Sequence, residues 1–276
     1  MQRRRFSTAR SRALRALERV SLLGPTYRLY ETVRSTGQGA DDERHDADGL
    51  PVPPAKLRTV IAGTPGLEWF LESGREQAAI IRGAFERHGP PLAELDRLLD
   101  FGCGCGRVVR HWSALAGPEI HGTDYNGQLV SWCETNLPFA TFSVNALQPP
   151  LEYESASFDA LYAISVFTHL PQDLERAWVD ELSRIVRPGG LLLLTTHGNS
   201  YAGRLDPGER GHFDVGHAVV RWASVAGTNL CTTFHPEPYV RERLAPNLEL
   251  VEFIPEAGTV GDPRQDLVVF KKPTNT

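Results

Sequence analysis

Residues 98–107 combine residue types and a spacing that suit ligand binding. They read Leu-Leu-Asp-Phe-Gly-Cys-Gly-Cys-Gly-Arg, an apolar run that ends in an acid and leads into glycine at alternate positions, Gly102, Gly104 and Gly106. This order is typical of a strand, a tight loop and the start of a helix, which we expect over 107–115. Because glycine has no side chain, such a loop brings bare backbone close to a nucleotide-like ligand.

The residues around this glycine loop narrow the class of nucleotide. A dinucleotide fingerprint needs glycine at its first, third and sixth positions, but the sixth position counted from Gly102 is Arg107. A phosphate-binding loop that ends in Gly-Lys-Ser or Gly-Lys-Thr is also absent from the sequence. Asp124 ends the next expected strand, where a carboxylate accepts hydrogen bonds from ribose hydroxyls. Asn145 and Ala146 follow the third strand, where they would meet an adenine edge.

These residues need a sheet to bring them together, and the hydrophobic pattern predicts one. We expect strands at 97–101, 119–123, 140–144, 158–165, 191–196, 248–253 and 266–270, and helices at 57–88, 107–115, 128–135, 172–186 and 237–244. This alternation, with apolar strand interiors, predicts an α/β fold whose parallel sheet is covered on both faces. The segment 165–169 then lies at the edge of the sheet where parallel strands present ligand-binding residues.

Composition divides the chain into three parts. Residues 1–36 carry nine arginines, two glutamates and apolar residues at helical spacing, which predict a basic amphipathic helical arm. Residues 37–54 are acidic and polar, as in a flexible linker. Residues 55–276 form the main domain, with an insertion rich in Gly, His and Asp at about 198–235. We expect substrate recognition in this insertion and in 57–88, since both should flank the ligand cleft.

Charge and cysteine content restrict the partners and the compartment. The overall net charge is −5 and the arm carries +7, so the rest of the chain carries −12. This negative charge disfavours binding to nucleic acid. The arm itself would either contact an anionic membrane surface or a protein weakly or be a solvated terminus. We favour the solvated terminus. No apolar run is long enough to span a membrane. The four cysteines lack disulfide or zinc spacing, so we expect free thiols in the cytoplasm.

Four motifs follow one another along the main domain. They are Leu-Asp-Phe-Gly-Cys-Gly-Cys-Gly-Arg (99–107), Gly-Thr-Asp-Tyr (122–125), Phe-Asp-Ala-Leu-Tyr-Ala-Ile-Ser-Val-Phe-Thr-His-Leu (158–170) and Glu-Leu-Ser-Arg-Ile-Val-Arg-Pro-Gly-Gly-Leu-Leu-Leu-Leu (181–194). In this order and spacing, residues 95–272 resemble the class I S-adenosylmethionine-dependent methyltransferase family. The resemblance implies S-adenosyl-L-methionine as cofactor. It also implies a doubly wound, mostly parallel, seven-stranded Rossmann-like sheet whose last strand is antiparallel beside the fifth, here with an N-terminal helical extension.

The resemblance also implies roles for individual residues. Asp124 would hold the ribose hydroxyls, and Tyr125 would pack against adenine. Asn145 and Ala146 would meet the adenine edge, although the family more often has Asp at the position of Asn145. The residues implied near the methionine part of the cofactor are Asp100, Gly102, Cys103, Gly104, Gly106, Ile164 and Ser165.

Methyl transfer from a sulfonium requires an aligned nucleophile and exclusion of water, and a general base assists when the nucleophile is a hydroxyl. His169 follows the fourth strand and His197 ends the fifth, so these are the candidate catalytic bases. Further candidates in or beside the insertion are His212, His217 and His235. Although Asp214 lies between two of these histidines, an isolated trio in a loop is a poor metal site, and we predict no metal.

The family resemblance implies an enzyme that methylates oxygen or nitrogen of a small-molecule or glycan-type acceptor. Two alternatives remain, a nucleic-acid methyltransferase and a non-catalytic cofactor-binding protein that regulates or interacts. Enzymes of this fold that methylate amino groups of DNA carry Asp/Asn-Pro-Pro-Tyr after the fourth strand, whereas this chain has Ser-Val-Phe-Thr-His at 165–169. The sequence does not indicate the oligomeric state.

Overall fold

The apolar strands assemble into one seven-stranded sheet in the computed structural model, which describes residues 13–14, 16–18, 22–27, 45–46, 48–261 and 263–274. In chain order the strands are β1 (Arg97–Phe101), β2 (Glu119–Asp124), β3 (Thr141–Val144), β4 (Phe158–Ala163), β5 (Val186–Thr196), β6 (Val219–Arg221), β7 (Thr232–Phe234), β8 (Glu249–Ile254) and β9 (Asp266–Lys271). Strands β6 and β7 pair with each other in a separate antiparallel sheet.

The topology of the main sheet confirms the expected fold. Its spatial order is β3-β2-β1-β4-β5-β9-β8. Strands β1 to β5 are paired in parallel, and β9 is antiparallel to both β5 and β8. The direction of winding reverses between β1 and β4, and in open sheets of this kind ligands bind in the crevice beyond the carboxyl ends of the strands at such a point.

Helices cover both faces of this sheet, which explains why the strand interiors are continuously apolar. The helices of the main domain are α1 (Ala55–Ala62), α2 (Leu67–His88), α3 (Gly127–Asn136), α4 (Gln172–Ile185), α5 (Pro207–Asp214) and α6 (Glu237–Tyr239), which continues as a π-helical turn over Val240–Leu244. Successive strand residues point to opposite faces. Leu98 therefore packs with Ile81 of α2 in one core, and Leu99 packs with Trp178 of α4 in the other.

Several element boundaries differ from the sequence-based expectation, and the helix expected over 57–88 is divided into α1 and α2. The helix expected over 107–115 is replaced by turns and a short 3₁₀ helix, Val109–Trp112. Here α2 packs directly on the backbone of Arg107. The approach is so close that a Cβ added at Gly74 of α2 would lie 2.2 Å from the Arg107 carbonyl oxygen. Strand β5 begins before the expected position, at Val186, which pairs with β4 ahead of the bend that Gly189 makes with φ +78°.

The predicted flexible linker, 37–54, is wrong for its second half. The Arg110 side chain is fully buried, and its guanidinium donates to the Asp46 carboxylate at 2.8 Å and to the Pro51 carbonyl at 2.8 Å. Leu50 packs against the core below the sheet. A buried guanidinium needs a counter-charge, and Asp46 of this acidic segment supplies it. Residues 37–44 lie outside the described residues.

The described part of the basic arm also packs on the main domain. Leu14, Leu17, Leu23 and Tyr27 form an apolar cluster with Val225, Leu230 and Cys231 of the insertion. The interpretation as a solvated terminus is therefore wrong for these arm residues. Contact of the arm with a membrane surface or a protein stays a prediction, and the first twelve residues lie outside the described ones.

Replacing Asp46 with alanine should lower the free energy of unfolding by about 3 kcal/mol, because it leaves a buried guanidinium without its counter-charge. Urea denaturation followed by circular dichroism measures this loss. Glu119→Ala is the matched control: it breaks an ion pair with Arg97 in which both side chains are exposed, so the free energy of unfolding should hardly change. Equal losses in the two variants would contradict the packed position of Asp46.

Candidate active site

A cleft of about 420 Å³ opens at the carboxyl ends of β1, β2 and β4. One part of its wall comes from the glycine loop and from the residues that follow β2, β3 and β4. Other parts come from α1, α2 and the insertion, as expected for the segments 57–88 and 198–235, and from the segment between β8 and β9. From these segments the lining residues include Val60, Ile61, Trp69, Ser73, Gln77, Tyr201, Gly227, Thr228 and Asn229. A volume of this size suits a small-molecule ligand.

The glycine loop is held against β2 by its backbone. The N–H groups of Gly102 and Cys103 both donate to the Thr123 carbonyl oxygen, at 2.7 and 3.0 Å. Gly102 and Gly104 have φ of +79° and +56°, a region that residues with a Cβ rarely adopt. A Cβ at Gly102 would also lie 2.3 Å from the Val166 side chain. Glycine is therefore required both by the backbone conformation and by the neighbouring side chain.

Asp124 joins the loop to the end of β2. Its Oδ2 accepts a hydrogen bond from the Gly104 N–H at 3.0 Å, and its Oδ1 accepts one from the Asn126 N–H at 2.8 Å. Burial raises the pKa of Asp124, while these two N–H groups oppose the rise. A carboxylate offers about four lone-pair positions, so Asp124 can still accept hydrogen bonds from two ligand hydroxyls.

Asp100 is the second carboxylate in the cleft wall. Burial raises its pKa to about 7, although the Tyr162 hydroxyl and the Arg107 charge lower it. The Tyr162 hydroxyl itself accepts a hydrogen bond from Trp112 Nε1 at 2.8 Å, so it is free to donate to the carboxylate. Asp100 is therefore oriented by a buried hydrogen-bond chain and is poised to ionise when a cation binds beside it.

Several polar lining residues were missed by the sequence analysis. Arg107 donates to the Ser73 hydroxyl at 3.3 Å, and its guanidinium lies 5.6 Å from the Trp69 ring centre. The Gln77 amide nitrogen donates to the Gly258 carbonyl at 2.7 Å, and its buried Oε1 has no partner among the described residues. Arg107 was visible as the residue directly after the glycine loop. Gln77 carried no sequence signal, because only tertiary packing brings α2 to the cleft.

Only some of the residues predicted to bind adenine line the cleft. Tyr125 lines the cleft, and its hydroxyl donates to the Gly227 carbonyl at 3.0 Å. Asn145 also lines it, but its side chain is engaged by the Thr123 hydroxyl and by the Ala146 carbonyl. Ala146 is exposed and is absent from the lining, which corrects its assignment. Leu147 lines the cleft instead.

Residues 225–231 of the insertion cross the cleft, and we call this segment the strap. The Gly227 N–H donates to the His169 carbonyl at 2.8 Å, and the Asn229 side chain donates to the Val60 carbonyl of α1 at 2.7 Å. With the Tyr125 bond, these contacts tie the strap to three separate parts of the wall. The apolar residues of the arm described above pack against the strap.

His169 is the histidine that lines the cleft. Its Nδ1 lies 2.7 Å from the Cys231 carbonyl of the strap. Burial lowers the pKa of His169, and the Cys231 carbonyl opposes that effect. Ser165 has φ of +60° and donates through its hydroxyl to Gln265 Oε1 at 3.1 Å. Ile164 also lines the cleft, so the segment after β4 supplies both apolar and polar wall groups.

His197 lies behind the wall and is absent from the lining. Its ring is stacked on Tyr201 at 3.9 Å between centres, its Nδ1 faces the Thr233 carbonyl at 3.2 Å, and its Nε2 is 3.4 Å from the Gln265 amide nitrogen. Burial holds the pKa of His197 well below its usual value, and nearby positive groups add to this. These contacts correct the assignment of His197 as a base, since both ring nitrogens face protein groups.

The remaining histidine candidates lie elsewhere. His235 is buried and bonded through Nε2 to Glu175 at 2.6 Å, while His212 and His217 are exposed on or beside α5. None of the three lines the cleft. The described part of the chain contains no cluster of histidine, cysteine or acidic side chains that could bind a metal.

Comparison with known proteins identifies the fold family. Residues 99–194 match the family model of a methyltransferase domain. Over this segment the chain is similar to methyltransferase domains. The matched segment of the methyltransferase domain contains the glycine loop, Asp124 and His169.

Curated relatives match this domain over part of their length. The chain is 32% identical over 106 residues to a malonyl-[acyl-carrier protein] O-methyltransferase of Enterobacter lignolyticus, covering 38% of this chain and 41% of that protein. It is 31% identical over 100 residues to a sterol 24-C-methyltransferase of Schizosaccharomyces pombe, covering 34% of this chain and 26% of that protein. The match therefore spans only about a quarter to two fifths of these relatives.

Solved structures show the same fold over a larger part of the chain. An S-adenosylmethionine-dependent methyltransferase from Mesorhizobium loti superposes with a TM-score of 0.54 and 17% identity, covering 71% of this chain and all (100%) of that one. A glycopeptide N-methyltransferase complexed with S-adenosyl-L-methionine gives a TM-score of 0.51 and 16% identity, covering 72% of this chain and 94% of that one. At these identities the similarity shows the fold alone.

Gly227→Ala should loosen the strap. Gly227 has φ of +80°, and an added Cβ would lie 2.9 Å from Leu147 and 3.3 Å from Tyr125. We expect faster hydrogen exchange of the strap amides, with global stability lowered by about 1 kcal/mol. Gly203→Ala, in the same insertion but with open space around the added Cβ, should leave strap exchange unchanged and should not lower the global stability. Unchanged strap exchange in Gly227→Ala would contradict the closed arrangement.

Proposed function

We propose that this protein is an S-adenosylmethionine-dependent methyltransferase that methylates oxygen or nitrogen of a small-molecule or glycan-type acceptor. The observation that carries the proposal is one cleft that is lined by the glycine loop and Asp124 and also by Ser165 and His169. One cavity thus offers room for a nucleoside cofactor and for an acceptor beside it.

The cleft residues fit the cofactor group by group. Asp124 keeps acceptor capacity for two ribose hydroxyls, and Asp100 with the unpartnered Gln77 Oε1 suits an ammonium group. Arg107 suits the carboxylate of the methionine part, and the Tyr125 ring offers a face to adenine. When bound, the cofactor supplies a methyl group on a sulfonium, so the protein mainly has to align the acceptor and exclude water.

The strap and α2 would exclude that water. Strap residues are tied to the Tyr125 hydroxyl and to α1, and α2 contributes Trp69 and Gln77 to the lining of the cleft. Excluding bulk water strengthens the electrostatic contacts within the cleft. The same segments would also select the acceptor. Unlike the glycine loop, they lie outside the segment that matches the family model.

A small-molecule acceptor is favoured over nucleic acid. The malonyl-[acyl-carrier protein] and sterol enzymes named above are relatives of this chain. The body of the chain is acidic, which opposes binding to a phosphate backbone. Within the described residues, no helix is both long and apolar enough to cross a membrane. All four cysteines are free and buried, in keeping with the prediction of a cytoplasmic protein.

Calorimetric titration with S-adenosyl-L-methionine tests the proposal directly. Asp124→Ala removes the charged acceptor for the ribose hydroxyls, so affinity should fall at least about tenfold, the equivalent of about 1.4 kcal/mol. Asp180→Ala, at an exposed position of α4, should bind as the unaltered protein does. Absence of binding by the unaltered protein would reject the function, and binding without methyl transfer to any acceptor would favour the non-catalytic alternative.

Cofactor affinity should also depend on the ionisation of Asp100, whose pKa is about 7 in the free protein. Its charged form favours a bound cation, so affinity should fall as the pH drops from about 7 to about 5.5, a range below the ordinary pKa of the α-amino group of the cofactor. Asp100→Asn should bind more weakly and lose this dependence. Titrations at several pH values measure it, and an equal slope in both proteins would contradict the role of Asp100.

A further inference from the structure

The strap selects one tautomer of His169. A carbonyl oxygen can only accept a hydrogen bond, so the contact of 2.7 Å with the Cys231 carbonyl requires the proton on Nδ1. The other ring nitrogen, Nε2, then carries a lone pair. Nε2 has no hydrogen-bond partner among the described residues, and the His169 side chain lines the cleft.

This arrangement is held from two sides. The Gly227 N–H binds the His169 carbonyl at 2.8 Å, and the Thr233 hydroxyl binds the carbonyl of the next residue, Leu170. The Cys231 carbonyl lies between these two anchors in the chain, and they restrict the position of the backbone that carries it. The insertion thus orients the imidazole of His169 through the Cys231 carbonyl. The backbone bond from Gly227 holds the same residue against the strap.

The charges in the cleft discriminate between acceptor classes. Among the lining residues, the carboxylates are Asp100 and Asp124, and the proposed function uses both to hold the cofactor. Four polar residues that line the same cleft as His169 are uncharged, namely Ser165, Gln265, Thr228 and Asn229. An aliphatic amine is protonated at neutral pH, and here it would approach a cationic sulfonium without a carboxylate of its own. A hydroxyl compound meets no such penalty.

We propose that the acceptor is an uncharged hydroxyl compound and that Nε2 of His169 is the general base that takes its proton. This inference rests on the proposed methyltransferase function. The hydroxyl oxygen forms the new bond to the methyl carbon, the carbon–sulfur bond breaks with its electron pair left on sulfur, and the hydroxyl proton moves to Nε2. The sulfonium becomes a neutral thioether and the imidazole becomes an imidazolium, so charge is conserved.

Two substitutions distinguish a role of His169 as a base from a role in holding the strap in place. The side-chain amide of His169→Asn can still donate to the Cys231 carbonyl but offers no base, whereas His169→Ala offers neither. A general base contributes about 10²–10⁴-fold in rate, so both variants should lose at least about a hundredfold in kcat while His169→Asn keeps the cofactor affinity of the unaltered protein. Near-normal kcat in His169→Asn, with loss only in His169→Ala, would overturn the proposal.

The tautomer can be measured without an acceptor. Nitrogen-15 NMR of the full chain, with the His169 ring signals assigned by their loss in His169→Asn, should show a protonated Nδ1 and an unprotonated Nε2 at neutral pH. The reverse pattern, or a doubly protonated ring, would overturn the base assignment. This readout is independent of whether S-adenosyl-L-methionine binds, so it separates failure of this inference from failure of the proposed function.

Paired acceptors test the chemical class. Each pair is one scaffold that carries either a hydroxyl or an amine, such as benzyl alcohol with benzylamine and a sugar with its amino sugar. Transfer is followed from an isotopically labelled methyl donor. We expect the hydroxyl member to be methylated at least about tenfold faster wherever a pair reacts. Preference for amine members, or no transfer to any hydroxyl member by protein with bound cofactor, would overturn the proposal.

Discussion

The contact between the end of β2 and the glycine loop is the constraint on which the rest of the site depends. Thr123 accepts two loop N–H groups through its carbonyl, and Asp124 accepts a third through its carboxylate. A loop with three positive-φ glycines has little conformational preference of its own, so these three bonds decide where its backbone lies. They also leave the Asp124 carboxylate facing the cleft with spare acceptor capacity.

The parallel register of β1 and β2 makes that contact possible. Asp100 pairs with Gly122 and Phe101 with Thr123, so the two strands end side by side and the loop can fold back over β2. Gly122 has no side chain, and a Cβ there would lie 2.7 Å from the Phe142 ring of β3. The close approach of β2 and β3 thus depends on Gly122. This pairing is part of the sheet that carries the site.

The insertion and the N-terminal segments complete the site that the sheet begins. The strap brings a backbone carbonyl to His169 and bridges to α1, and apolar arm residues pack behind it. On the opposite side, the Asp46 carboxylate neutralises Arg110, whose neighbour Val109 lies in the same core as Ile81 of α2. Segments that composition alone would assign to a linker or a terminus therefore support the walls of the cleft.

The sequence by itself determined the sheet, the glycine loop and the place of Asp124, because these follow from local patterns. Period-two and period-3.6 hydrophobicity predicts strands and helices, positive-φ turns need glycine, and parallel strands present their carboxyl ends together. Only the tertiary structure separated His169 from His197, since both follow central strands, and what distinguishes them is which ring faces the cavity. The same holds for Gln77 and for the strap, whose partners are distant in the chain. Contacts between residues far apart in sequence leave no periodic signal, so packing alone decided them.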